Sequence, residues 1–218
     1  MRANYRILSF DCANKTLGVI CLDYNRNWAI ELNYILKALN TSKTFNASSD
    51  VSSAIDIIDN RFTILYADVV NLLGDKKVKD TSAQFRCATL KEYVTKIRRE
   101  YNPDMVIIED QMSPNEKTRG IFYCLLYEFS DIAVSVKPHK KNININFGAG
   151  SHKDFMMKYT TKYTANKKHL EENFKHYLRA VKRKDLLSID KLHNVADAFF
   201  QVYVYVRDNP ATFINTQN

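Results

Sequence analysis

The chain has no apolar stretch near the ~18 residues that a membrane-crossing helix needs, so no transmembrane helix is expected. The opening Met1-Arg-Ala-Asn-Tyr-Arg6 lacks the apolar segment and small-residue cleavage pattern of a secretory signal, and an intracellular protein is expected. Cysteine is scarce: Cys12, Cys21, Cys87 and Cys124 show no CxxC spacing and have no histidine pair nearby, which argues against a zinc site. They read as free thiols, with Cys87 and Cys124 as small core residues on apolar helix faces. There is no internal repeat and no linker that would divide the chain, so residues 1–218 are expected to form a single domain.

The 218 residues are 45% apolar and 26% charged, a globular composition. Lys and Arg total 32 against 24 acids, a net charge of +8, and a basic surface attracts polyanions by releasing their counterions. Tyr5–Phe10 and Gly18–Asp23 read as a hairpin, with a third strand within Trp28–Leu36. Asn40–Ser53 is a Ser/Thr/Asn-rich loop, and Phe62–Leu73 reads as a helix stopped at Gly74. Thr81 and Ser82 can cap a helix to Tyr101, whose apolar positions Cys87, Leu90, Val94 and Ile97 recur at helical spacing. Met105–Ile108 is a continuous apolar run, as in a strand buried on both faces. A helix over Lys117–Phe129, a strand over Ile132–Val136, a helix capped by Asn166 and a last helix over Asp190–Val206 follow. This order implies one α/β domain with a mixed sheet flanked by helices.

Three acids stand out. Asp11 closes the first apolar strand and Glu109 closes the run Met105-Val-Ile-Ile108. A carboxylate at the end of a buried strand is penalised by desolvation unless a cation or hydrogen-bond donor meets it. Asp197 lies in the last helix, on the side with Asp190, Asn194 and Gln201, opposite the apolar stripe Leu192, Val195, Phe199, Val202 and Val206. That polar side is either wet or turned toward the strand-end acids. Strand-end acids together with a late helical acid point to an oxygen-donor site for a hard divalent metal.

The string Phe10-Asp-Cys-Ala-Asn-Lys-Thr-Leu-Gly18 resembles the first metal-ligand strand of RuvC-type Holliday junction resolvases. Val106-Ile-Ile-Glu-Asp-Gln111 resembles their second motif, and Asn194-Val-Ala-Asp-Ala198 their final helix motif. The likeness is greatest to the resolvases of poxviruses and other large DNA viruses, and order and spacing match over most of the chain. The resemblance implies a ribonuclease H-like fold and a homodimer that cuts four-way DNA junctions with two Mg²⁺ ions per site, Mn²⁺ substituting, and leaves 5′-phosphates. A virus of this kind would place it where viral DNA replicates, in the cytoplasm. Metal-ligand roles carry over to Asp11, Glu109 and Asp197. The fourth ligand position, an acid in the family, falls on Asn194, with His193 or Asp190 as substitutes. A catalytic lysine is implied just upstream of the last helix, where Lys167 is preferred to Lys168.

Lys140, Lys141, Lys153, Lys158, Lys162, Lys168 and Lys175 crowd the stretch before the last helix and are the candidate DNA contacts. Phe155, Tyr159 and Tyr163 lie among them, either as core residues or as platforms for unpaired bases. The helix Lys117–Phe129 carries Ile121, Phe122, Leu125, Leu126 and Phe129. These serve either the monomer core or, as the resemblance implies, the dimer interface. Two other readings share these residues: an RNA-strand nuclease acting on hybrids, and a branched-DNA-binding module with a weakened site.

Overall fold

The computed structural model describes residues 4–13, 15–25, 62–110, 116–137, 145, 147–209 and 211–214. The strands are β1 (Asn4–Cys12), β2 (Thr16–Asn25), β3 (Phe62–Asn71), β4 (Met105–Glu109) and β5 (Ala133–Val136). The helices are α1 (Ala83–Tyr101), α2 (Glu116–Glu128), α3 (His152–Lys158), α4 (Lys162–Ala180), α5 (Leu192–Asp208) and α6 (Ala211–Ile214). The expected strand within Trp28–Leu36 and the loop Asn40–Ser53 lie outside the described residues.

The five strands form one sheet in the order β3-β2-β1-β4-β5. β2 runs antiparallel to β1 and β3, whereas β4 is parallel to both β1 and β5. Because side chains alternate along a strand, each face gathers its own core. Tyr5, Ile7, Ile20, Leu22, Met105 and Ile107 pack against α4 and α5. Leu8, Phe10, Val19, Cys21, Val106 and Ile108 pack against α1 and α2. The apolar run of β4 is buried on both faces, as a central strand requires.

Two expectations change. Phe62–Asn71 is a strand rather than a helix; its β-branched and aromatic residues Thr63, Ile64, Tyr66, Val69 and Val70 suit a pleated surface, and β2 supplies the partner. The helix assigned to an Asn166 cap begins a turn earlier, at Lys162, because Thr161 Oγ1 accepts from the Thr164 backbone N–H (3.1 Å). Asn166, now inside α4, accepts through Oδ1 from His152 Nε2 (2.6 Å). The short helix α3 starts at a capping box in which Ser151 and Asp154 satisfy each other's backbone N–H groups. Ser82 caps α1, and Asn102 ends it in a left-handed conformation (φ 44°).

Cys12 and Cys21 are buried. Cys87 and Cys124 are only half-buried, and their sulfurs face each other 2.7 Å apart across α1 and α2. Ile121, Phe122, Leu125 and Phe129 of the α2 region are buried within the monomer, while Tyr123 and Tyr127 stand 61% and 79% exposed.

Candidate active site at the strand ends

Asp11 and Glu109 each lie one residue past Phe10 and Ile108, the last aligned pair of the parallel strands β1 and β4. By strand alternation Asp11 shares its face with Ile7 and Ser9, and Glu109 shares its face with Met105 and Ile107. That is the face covered by α5. Both carboxylates are 8% exposed.

Three contacts fix α5 over these strand ends. The first is a close approach at Gly18, which pairs with Asp11 across the hairpin. A Cβ on residue 18 would lie 2.2 Å from the Asn194 carbonyl oxygen, so only glycine admits the helix here. The second is the Asn194 side chain, whose Nδ2 donates to Thr16 Oγ1 (3.0 Å). The third is Gln201: its Oε1 accepts from Ser9 Oγ (3.1 Å), and its Nε2 donates to Glu109 Oε2 (3.1 Å). Asp197 lies between Asn194 and Gln201 at helical spacing and therefore on the same side of α5. Asn194, Asp197 and Gln201 are 4%, 8% and 2% exposed, so the polar side of the last helix is not wet; it is pressed onto the sheet.

Lys167 reaches this cluster from α4, with Nζ 3.6 Å from Asp197 Oδ2. Burial works to lower its pKa, but the attraction of Asp197 and then of Asp11 outweighs it and leaves Lys167 above the ordinary lysine value. One ammonium thus feels acids from both ends of the chain. Lys168 turns away, pairing with Glu171 at 2.9 Å. His193 is half-buried, and its pKa is lowered by burial and then by Lys167, with Asp197 and Glu171 opposing. Asp190 is exposed in the turn before α5.

The donor chemistry of Asp11, Glu109, Asp197 and Asn194 is all oxygen, which suits Mg²⁺ or Mn²⁺. As the side chains stand, among the described residues no group of three His, Cys, Asp or Glu is arranged to hold a metal ion. Lys167 pairs with Asp197, and Gln201 bonds Glu109.

Of the candidate DNA contacts, Lys140 and Lys141 lie outside the described residues, and Lys153, Lys158 and Lys162 are exposed on α3 and at the start of α4. Lys168 and Lys175 are tied to Glu171, and Lys175 also to Glu172. Phe155 is buried, Tyr159 stacks on it, and Tyr163 is 69% exposed with Lys167 Nζ 5.5 Å from its ring. Sequence reasoning assigned no role to Ser9, Thr16 or Gly18, and placed Gln201 on the polar side without a function. The signal for Gln201 was its spacing of one helical turn from Asp197.

No protein-family model matches the chain, and no curated protein matches it. Among solved structures it is similar to the fowlpox virus resolvase in a complex with substrate Holliday junction DNA, at 18% identity and a TM-score of 0.49, over 93% of this chain and 97% of that one. It is similar to Thermus thermophilus RuvC at 10% identity and a TM-score of 0.47, over 94% and 97%. It is also similar to the yeast mitochondrial Holliday junction resolvase Ydc2 at 11% identity and a TM-score of 0.47, over 96% and 85%. The described residues form a mixed five-stranded sheet flanked by helices on both faces. No helix among the described residues is long and apolar enough to cross a membrane.

Proposed function

We propose that this protein is a divalent-metal-dependent endonuclease that resolves four-way DNA junctions by paired nicks. The observation that carries the proposal is the Lys167–Asp197 ion pair beside the Gln201–Glu109 contact, on the sheet face that also carries Asp11. Acids from three distant stretches of chain on one face of the sheet suit a phosphodiester-cutting site better than a structural ion pair.

Asp11, Glu109 and Asp197 would hold Mg²⁺, with the Asn194 side-chain oxygen as a neutral fourth donor while its Nδ2 stays on Thr16. The ion, when bound, supplies charge neutralisation at the scissile phosphate and a water of lowered pKa. Gln201 positions Glu109 by holding one carboxylate oxygen, and Ser9 holds Gln201 in turn. Lys167 offers its ammonium to the negative charge that grows on the phosphoryl oxygens as water adds to phosphorus. The 3′-oxygen leaves with the bonding pair, and the new end carries a 5′-phosphate. Lys153, Lys158 and Lys162 supply phosphate contacts that set register without reading sequence.

Symmetric nicking needs two such sites on opposed strands, which a two-fold dimer provides. Tyr123 and Tyr127 on the outer face of α2 are, among the described residues, the groups best suited to that interface. Sedimentation should show a dimer for the native chain and a monomer for Tyr123→Glu/Tyr127→Glu; a dimer surviving in that variant would remove α2 from the interface.

The decisive measurement is cleavage of a synthetic four-way junction in Mg²⁺. Asp11→Asn and Glu109→Gln should each lower the rate at least ~100-fold while junction binding in EDTA persists. Wild-type rates in either variant would sink the proposal. A second reading, a DNA-binding module without activity, is favoured by the neutral Asn194 beside the acids, whose amide is bonded to Thr16. Junction binding without nicking by the native chain in either Mg²⁺ or Mn²⁺ would decide for it.

A further inference from the structure

A second basic feature lies beside the acids, on elements other than α3 and α4. A pocket of about 480 Å³ opens where the hairpin tip, the loop after β3 and the start of α5 meet. Lys15, Lys76, Lys77, Lys79 and Lys191 line it with Thr16, and among the described residues no acid lines it. The backbone bond from Leu72 N–H to the Lys15 carbonyl (2.9 Å) ties the loop to the hairpin. Lys76 rests over the Phe85 ring, with Nζ 4.2 Å from the centroid. Lys191 begins α5 in a left-handed conformation (φ 56°) that a lysine rarely adopts, and its side chain makes no cap bond. Five lysines around one pocket make a basic patch among the described residues, and a basic patch attracts a polyanion.

The pocket adjoins the acids through Thr16, whose hydroxyl accepts from Asn194. Thr16 is two residues along β2 from Gly18, the partner of Asp11, a separation of ~7 Å at strand rise. Lys168 and Lys175, by contrast, are each paired with glutamates.

We propose that this pocket takes the backbone phosphates of the DNA strand continuing past the cut site, so that the strand is held on the hairpin side as well as by α3 and α4. The inference rests on the endonuclease reading and adds to it the path of the DNA.

Matched variants of the full chain test it. Lys77→Ala/Lys79→Ala removes two pocket charges. Lys91→Ala/Lys96→Ala removes two exposed charges from α1, which packs on the opposite face of the sheet. Both lower the net charge equally and both should keep the native melting temperature. Binding of a labelled four-way junction is measured across a salt series in EDTA. Each lost phosphate contact lowers the slope of log K against log salt by ~0.7–0.9, so the pocket double should lose about 1.4–1.8 and the α1 double less than half of that. Equal losses in the two doubles, or an unchanged slope in the pocket double, would overturn the proposal. If the native chain binds and nicks junctions and the pocket double matches the α1 double, the pocket alone falls. If the native chain binds no junction, the pocket and the endonuclease reading fall together.

Discussion

At residue 18 a missing side chain sets the distance between the last helix and the sheet. The atoms that a Cβ would meet, the carbonyl oxygen and carbon of Asn194, belong to backbone and cannot swing aside. Gly18→Ala must therefore lift α5 or bend β2. We expect a loss of about 1–3 kcal/mol, in the range of overpacked cores, and with it a melting temperature lower by ~2–12 °C for a chain this long. An unchanged melt in EDTA would show that the helix has slack at this crossing. Asn194 explains itself at the same scale. Its amide donates to Thr16 Oγ1, whereas a carboxylate there could only accept from that hydroxyl. The neutral residue also limits the charge that Asp11 and Asp197 must share with Lys167.

Helix α4 carries its own charge ladder, and its stability should depend on acid pH. Burial acts to raise the Glu171 pKa, but Lys175 and Lys168, bonded to its two oxygens, reverse this and leave it below the ordinary 4.5. A depressed acid contributes stability that is full above its unfolded pKa and lost as pH falls through the folded value. Glu171→Gln should therefore cost ~0.5–1 kcal/mol near neutrality, the worth of two helix-spaced ion pairs. The gap between variant and native melting curves should close as pH drops below 4.5. A gap that persists undiminished in strong acid would mean that packing, not charge, is what Glu171 supplies. The same helix shows where local reading stops. Leu170, Phe174, Tyr177 and Leu178 recur at helical spacing in the sequence and are buried. The start of the helix was not, because Thr161 and Asn166 are both competent caps and only the bond to Thr164 chooses between them. The apolar run of β4 was legible because burial on both faces leaves no polar position. Phe62–Asn71 was misread because it alternates cleanly only at Phe62, Thr63 and Ile64, and beyond them both sides are half-buried. The three acids could be singled out as strand-end and helical carboxylates. What Asn194, Asp197 and Gln201 face could not, because a helical wheel shows that polar residues share a side and says nothing about a sheet more than 90 residues away.

In the molecule as a whole, two apolar cores lie on opposite faces of one sheet, and polar groups are buried chiefly where α5 crosses the strand ends. Stability and function compete there. Three acids with little exposure lie beside one lysine and the Gln201 amide, an arrangement that spends folding energy on charge. A cation that binds the folded chain and not the unfolded one must return some of it by mass action. At a Mg²⁺ concentration ten times its dissociation constant the gain is about 1.4 kcal/mol, or ~3–6 °C in melting temperature for a chain of this length. The native protein should therefore melt higher in Mg²⁺ than in EDTA, and Ca²⁺ should also stabilise it because it too prefers oxygen donors. Asp11→Asn and Asp197→Asn should abolish the Mg²⁺ increment, whereas Glu171→Gln should keep it. An increment that survives in both aspartate variants would place the bound ion elsewhere on the protein and leave these acids as partners of Lys167 alone.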